Sequence, residues 1–480
     1  MPATIDPLDI WILTLFLGGT VIYGIWSGRY SKTTTAYFLA ERTLPWYAVM
    51  LSVVATETSV LTFISVPGMA YRGNWFFLQL AFGYILGRVL VSFLLLPLYY
   101  AKGITSIYQY IGQRFGQQVQ RVTSAVFLFT RLLADGVRFF ATALLVQTLL
   151  PLTIPQAVLL MGGVTLVYTL AGGIRSVVWM DTVQFILYLS CGILSLWFIH
   201  GLIDGGLAAG LSQLAEAGKL GVLNFRSGEV FSLKAAYAFP AAIIGGAFLS
   251  FASHGADYMM VQRVLSTRSL PAARMALVGS GLFVTFQFAL FMLVGGLLWI
   301  VFQGETLGVD QEYPRFIATY LPTGLKGVLL AGVLAAAMST LSSSINSLAS
   351  STVNDWLKRT DDLRLSRLIS LGWGTVLMGM AILVMWLPGE NPVVELGLQI
   401  ASYTYGGLLG LFLMGRARIH FYPAALITGL LGAAAAVLVL KGFGIAWTWY
   451  IIVATVANIG LAYVVNLAIS KLRTETGGLF

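Results

Sequence analysis

Thirteen apolar stretches, each long enough to cross a bilayer as a helix, constrain this chain more than any other feature. They lie near residues 9–27, 46–70, 75–100, 121–149, 155–171, 179–203, 236–257, 274–302, 325–354, 367–388, 393–414, 420–440 and 446–470. A helix rises 1.5 Å per residue, so about 20 apolar residues traverse the ~30 Å hydrocarbon layer. Only 10% of the residues are charged, against about a quarter in a soluble domain. A transmembrane barrel would instead alternate apolar and polar residues in short segments. The expected fold is an all-α polytopic membrane protein with 13 transmembrane helices. The longest connections, 204–235 and 303–324, are too short for cores of their own.

Basic residues sort by side. With the N-terminus outside, eighteen Lys and Arg fall on cytoplasmic loops and the tail and seven on outer loops, while Arg88, Arg131 and Arg138 lie inside helices. This asymmetry predicts a multi-pass protein of the plasma (inner) membrane, N-terminus outside and C-terminus cytoplasmic. The net charge of +9 follows from that distribution and implies no nucleic-acid partner; no obligate protein partner is evident. Asp6 and Asp9 precede the first stretch without any Lys or Arg, which argues against a cleaved signal peptide. There is no Walker loop and no metal spacing among the three histidines, and Cys191 reads as core filler.

One apolar stretch carries a run of hydroxyls. Ser339, Ser342, Ser343, Asn346, Ser347 and Ser350 fall on one face of a helix. Polar groups in hydrocarbon need partners, so that face looks at protein, water or an ion. Hydroxyl oxygens suit a hard alkali or alkaline-earth cation. Small hydroxyl residues also serve close helix–helix packing, and both readings stay open on this pattern alone.

Two other spans are interrupted. The 46–70 span has small or polar residues at Ala55–Ser59, including Glu57; the 236–257 span has Pro240, Gly245, Gly246, Ser250, Ser253, His254, Gly255 and Asp257. Broken spans in corresponding positions of two halves point to inverted repeats with a site at the midplane. The expected organisation is an accessory helix and loop at 1–45 and a five-helix repeat at 46–203. A connection at 204–235 leads to an inverted repeat at 236–414, and two accessory helices with a tail fill 415–480. By depth, the 55–58 break and Ser339 both lie near the bilayer centre, so unwound carbonyls and hydroxyls can share a cation. Asp181 with Ser342 and Ser343 forms a feasible second cluster, nearer the cytoplasm.

The chain resembles the sodium/solute symporter family through four segments: ATETSVLTFISVPG (55–68), GGIRSVVWMDTVQ (172–184), DYMMVQRVL (257–265) and LAAAMSTLSSSINS (334–347). The resemblance spans essentially the whole chain. It implies a leucine-transporter-type fold of two inverted five-helix repeats plus accessory helices, with Na+ as the coupling ion. It also implies a first sodium site from the backbone oxygens of Ala55, Thr58 and Ala336 with the hydroxyls of Ser339 and Thr340. Asp181, Ser342 and Ser343 match a second site found in some members.

The family's substrate positions fall on Ser59, Thr62, Gln79 and the start of the Asp257 segment. Sugar carriers of the family tend to have Gln at the position of Thr62 and an amide at that of Asp257, so a sugar is disfavoured. Carboxylate-binding relatives carry hydroxyls at the positions of Ser59 and Thr62 and use an arginine on the helix matching 121–149. Here Arg131, Asp135 and Arg138 share one face of that helix; either one guanidinium is left to fork a carboxylate, or the three satisfy one another as a structural triad or reach toward an interface. Glu57 departs from the family pattern. It is expected to meet Arg88, recognise a cationic group of the solute, or carry a proton. The function expected is sodium-coupled import of a small carboxylate or zwitterion by alternating access. The alternatives are a transporter-like membrane sensor and a proton-coupled carrier using Glu57; no enzyme constellation is visible.

Overall fold

The computed structural model describes residues 6–225, 232–386 and 393–475. The expected tail beyond 475, the 226–231 part of the 204–235 connection and the end of the 367–388 span lie outside the described residues. Among those described, the regular elements are helical apart from a single bridge between Leu44 and Thr267. Eight helices are long and apolar enough to cross a membrane, and ten spans result when two bent pairs count as one each. Gln117–Leu149, which carries Arg131, Asp135 and Arg138, and Val393–Arg416 are helical over two more of the expected spans.

The 155–171 and 179–203 stretches differ from expectation. They form one helical run, Ile154–Leu202, and the expected loop at 172–178 shrinks to a reversal at Gly173 (φ 58°, ψ −155°). That backbone conformation is open only to glycine, and a Cβ there would stand 2.5 Å from the Tyr37 carbonyl oxygen. Asp181 therefore sits two helical turns past a break rather than at a helix start. Short helices missed by the hydropathy reading fill the connections: Thr34–Leu39, Ile107–Phe115, Gly206–Glu216 and Glu312–Thr319.

The centre of the molecule is the span Leu325–Leu357, almost wholly buried along its apolar length. It packs against Ile154–Leu202, Gln117–Leu149 and Trp46–Glu57. Pro7–Ser27 and the last two helices lie at the periphery and expose Trp11, Leu15, Ile22, Leu431, Leu438 and Val456. The first helix is nonetheless pinned to the centre. Asp9 Oδ1 accepts from the backbone N–H groups of Gly324 and Gly327, each at 2.7 Å. It thus caps the Leu325 helix from a neighbouring element, where carboxylate and helix dipole attract.

The two interrupted spans are bent pairs. Trp46–Glu57 turns by 64° into Thr62–Arg72, and Phe239–Gly255 turns by 63° into Tyr258–Leu265. In the first, Thr58 and Ser59 are extended (ψ 99° and 170°). In the second, Asp257 is extended and its side chain accepts from the Met259 N–H at 2.8 Å, capping the second half. The Asp257 carboxylate thus gives the backbone a local partner at the second break, whereas at the first the Ser59 side chain makes no cap and the Thr58 hydroxyl donates to Gln287 Oε1 at 3.0 Å.

Leu78–Leu94 and Phe239–Gly255 approach closely through glycines, the small-residue packing of membrane helices. A Cβ at Gly87 would stand 2.3 Å from the Ala247 carbonyl oxygen. Gly87→Ala is expected to destabilise the fold by about 1–3 kcal/mol, seen as a lower melting temperature in detergent. An unchanged melting curve would contradict this packing.

Candidate functional site

The break at Thr58–Ser59 has a direct chemical consequence. Carbonyls in the last turn of Trp46–Glu57 lose the N–H partners a continuous helix would supply, and they carry the negative end of a helix dipole. Three cavities surround this break. One of about 10 Å³ is lined by Ala55, Thr58, Gln184, Phe185, Tyr188 and Ala336. A second of about 10 Å³ includes Ser59, Asp135, Arg138, Ala336 and Thr340 in its wall. The largest, about 90 Å³, includes Glu57, Ser59, Thr62, Arg138, His254 and Tyr405. Ala336 borders both small cavities, and Ser59 and Arg138 border the second and the largest, so neighbouring cavities share walls.

Of the five residues matched to a first sodium site, Ala55, Thr58 and Ala336 thus meet at one cavity, and Thr340 lies beside Ala336 on the next. The Ser339 hydroxyl donates to Asp181 Oδ1 at 2.7 Å. Ser339 itself lines none of the three cavities.

Asp181 is fully buried and differently placed from the second-site expectation. Its Oδ2 accepts from Ser52 Oγ at 2.6 Å and lies 3.4 Å from Arg263 Nη2. Arg263 also donates to Ser343 Oγ, and to the Met259 carbonyl at 2.6 Å. Ser342 Oγ turns back to the Ser339 carbonyl at 3.0 Å. A guanidinium therefore occupies the position between Asp181 and Ser343 that a second sodium would need. Arg263 lay within a quoted segment, yet periodicity alone carried no sign of its partners.

The rest of the serine face is packed against protein. Asn346 Oδ1 accepts from Gln262 Nε2 at 2.7 Å, and Ser350 Oγ and the Tyr258 hydroxyl are 2.8 Å apart. With Arg263–Ser343 these contacts form a polar ladder between Leu325–Leu357 and Tyr258–Leu265. The packing reading accounts for these later turns; the residues of this helix that border cavities, Ala336, Ala337, Thr340 and Leu341, are not among those that define that face.

Around the largest cavity, the charges sort into spent and available. Arg131 donates to Asp257 Oδ2 through Nε at 2.8 Å and through Nη2, to the Tyr405 hydroxyl at 2.6 Å, and to Asp135 at 3.3 Å. Asp257 is thereby enclosed as a partner of Arg131 and as a helix cap. Asp135 accepts from Ser344 Oγ at 2.6 Å. Arg138 has one ion pair among the described residues, a 3.5 Å contact to Asp135, and its side chain is 18% exposed. Glu57 pairs with the fully buried Arg88, whose other arm reaches Ser280 Oγ at 2.7 Å; His254 Nε2 lies 3.8 Å from the same carboxylate.

Gln79 requires a correction. It does not line the cavity: its Nε2 donates to the Phe76 and Tyr237 carbonyls (2.9 and 3.1 Å) and its Oε1 accepts from the Asn224 N–H (3.1 Å). The oxygen braces the 204–235 connection at Asn224 and the nitrogen holds the Phe76 and Tyr237 carbonyls on either side, so both ends of the amide are engaged away from the cavity.

The sodium:solute symporter family profile matches residues 37–420. The chain belongs to the sodium:solute symporter family. It is accordingly a multi-pass membrane transporter coupled to sodium, not an enzyme. A sodium/sialic acid symporter of Aliivibrio fischeri is 26% identical, with 85% of this chain aligned to 82% of that one. The human sodium-coupled monocarboxylate transporter 1 is 27% identical, over 86% of this chain and 70% of its own length. The fold matches a solved sodium-coupled sialic acid symporter in a substrate-bound outward-open state with a TM-score of 0.86, at 23% identity, over 96% of this chain and 98% of that one. This symporter therefore shares the all-α fold expected of it, built around two broken helices.

Proposed function

We propose that the chain imports a small organic carboxylate together with sodium by alternating access, with Arg138 as the carboxylate-binding group. The supporting observation is the shared wall of the cavities: the 55–59 break borders the ion-sized cavity on one side and the solute cavity on the other. A sodium ion held by the carbonyls of Ala55, Thr58 and Ala336 and the hydroxyls of Ser339 and Thr340 fixes the break. That fixes Ser59 and Thr62 in turn, beside Arg138. Each ligand then favours the other by the same coupling energy, typically about 1–3 kcal/mol.

In this reading Ser59, Thr62 and Arg138 contact the solute, and Glu57 accepts an ammonium group where the solute is a zwitterion. Arg131, which also lines this cavity, is held by Asp257 and Asp135 and orients the site with its charge already paired. Because Arg263 already neutralises Asp181 and donates to Ser343, one sodium per cycle is proposed, at the first site. Because Arg88 answers the charge of Glu57, a proton-carrying role for Glu57 is not proposed. The carrier has thirteen spans in the plasma membrane, N-terminus outside and C-terminus cytoplasmic. Its inverted repeats cover 46–203 and 236–414, and the ion leaves into a low-sodium cytoplasm.

Ser339→Ala with Thr340→Ala tests the ion site. In liposomes, sodium-driven uptake by the double variant is expected to fall to the level seen with potassium, while the sodium-free protein still folds, with a lowered melting temperature because the Ser339 hydroxyl also donates to the buried Asp181. Two lost hydroxyl contacts to a charged partner, at about 1.5–3 kcal/mol each, account for a loss of roughly 100-fold or more. Uptake that keeps its sodium dependence would refute the site.

A further inference from the structure

We propose that His254 Nε2 accepts a hydrogen bond from the solute, so that the carrier selects carboxylates bearing a second, hydrogen-donating group, a hydroxyl or an ammonium, over unsubstituted ones. The proposal rests on the reading in which Arg138 holds a carboxylate in the largest cavity, and adds a recognition point on another of its walls. His254 lines that cavity with Glu57, Ser253 and Tyr84. It lies in the last turn of Phe239–Gly255, as Glu57 ends Trp46–Glu57. The first halves of both broken spans therefore end at one corner, and each brings the negative end of a helix dipole. Such a corner favours groups that donate hydrogen.

The neighbours of the ring settle which nitrogen carries the hydrogen. Nδ1 stands 2.9 Å from Ser253 Oγ. The Ser253 hydroxyl directs its one hydrogen to the Ser250 carbonyl at 3.5 Å, which leaves its oxygen to accept from Nδ1–H. The bond made by one ring nitrogen sets the state of the other, so Nε2 keeps a bare lone pair. His254 is 1% exposed, and Nε2 has no hydrogen-bond partner among the described residues. Glu57 Oε2 is 3.8 Å away, beyond hydrogen-bond reach, and already accepts from Arg88. Two acceptors thus face each other with no hydrogen between them. Because Arg88 balances Glu57, the corner adds acceptors without net charge, and a hydroxyl is sufficient to satisfy it.

Within a membrane span, lipid supplies no partner for a buried polar group. A solute that enters displaces whatever water the cavity of about 90 Å³ admits, and it must replace the bond to Nε2. A hydroxyl or ammonium does so; a methylene leaves the buried nitrogen stranded. A site built around a buried polar group rejects the analogue that leaves it unpaired far more strongly than it rejects a small change of bulk. His254 therefore reads the substituent while Arg138 holds the carboxylate, and neither borders the cavity at Ala55, Thr58 and Ala336.

The test is sodium-driven uptake by the full-length protein in liposomes, with radiolabelled propanoate, lactate, glycerate, alanine and β-alanine as probes. The native protein is expected to favour a hydroxy or amino form over propanoate at least about tenfold in kcat/KM, the worth of one hydrogen bond in a closed site. The hydroxy and amino arms identify which donor the corner takes. His254→Phe keeps a ring without the acceptor and is expected to abolish the preference, while His254→Gln returns an oxygen and is expected to restore part of it. The readout is the ratio between probes, which a general loss of activity does not move. Equal uptake of propanoate and its substituted forms by the native protein, or a preference that survives His254→Phe, overturns the proposal and leaves the carboxylate role of Arg138 standing. If no probe enters with sodium, the carboxylate reading fails and this proposal falls with it. Should the Phe variant fail to accumulate, His254→Met, equally without the ring nitrogens, takes its place.

Discussion

Asp257→Ala is expected to leave little folded protein, and adding Arg131→Leu is expected to restore much of it. Asp257 and Arg131 are both buried, and Asp257 Oδ2 receives Arg131 and the Tyr405 hydroxyl (2.6 Å). Removing the carboxylate strands a guanidinium whose remaining acid is Asp135, 3.3 Å away. Breaking one side of a buried pair costs about 3–5 kcal/mol, and losing the cap on Tyr258–Leu265 adds about 1 kcal/mol. Total stabilities are about 5–15 kcal/mol, so the loss is a large share. Asp257→Asn keeps the capping oxygen and should fall between the extremes. Melting temperature and the monodisperse fraction on size exclusion measure all three variants. A single Ala variant as stable as the native protein would show that the pair contributes nothing to the fold.

Arg138→Ala should lose carboxylate uptake while keeping the fold. Its one described ion pair is long, and its head faces the solute cavity. A forked guanidinium–carboxylate contact comprises two charge-assisted hydrogen bonds. Losing it is expected to lower kcat/KM for a monocarboxylate by about 100-fold or more, which is about 2.7 kcal/mol. Arg138→Lys keeps the charge but not the fork and should recover only part. Uptake measured across carboxylates and their uncharged amides separates the charge contribution from general damage. Equal loss for both classes would remove Arg138 from carboxylate recognition.

The sequence disclosed those features that depend on local composition. Apolar length set the spans. The polar run 55–59 and the Asp257 region marked both breaks; at the second the carboxylate competes for a backbone N–H where it occurs, and at the first the Thr58 hydroxyl is held by Gln287 from another helix. The periodicity of Ser339 to Ser350 identified a face but not what covers it. That answer depends on Tyr258, Gln262 and Arg263, some eighty to ninety residues earlier in the chain. The same limit hid Gln79, whose position suits a solute contact but whose arms are claimed by Tyr237 and Asn224. Charged residues were legible as a group, since Arg131, Asp135 and Arg138 share a face. Which guanidinium is free was decided by Asp257, a residue from another helix. Short helices such as Glu312–Thr319 went unseen because they are too brief and too polar for a hydropathy window.

The Arg131–Asp257 pair also bears on how the chain is made. Its two members are 126 residues apart, so at ~5–20 residues per second the ribosome needs roughly 6–25 s to deliver the second after the first. During that interval Gln117–Leu149 must enter the membrane with Arg131 lacking its principal counter-charge, at an insertion penalty of about 2.5–3.5 kcal/mol for an arginine at mid-helix. Asp135, synthesised within the same helix, is the counter-charge at hand while it waits.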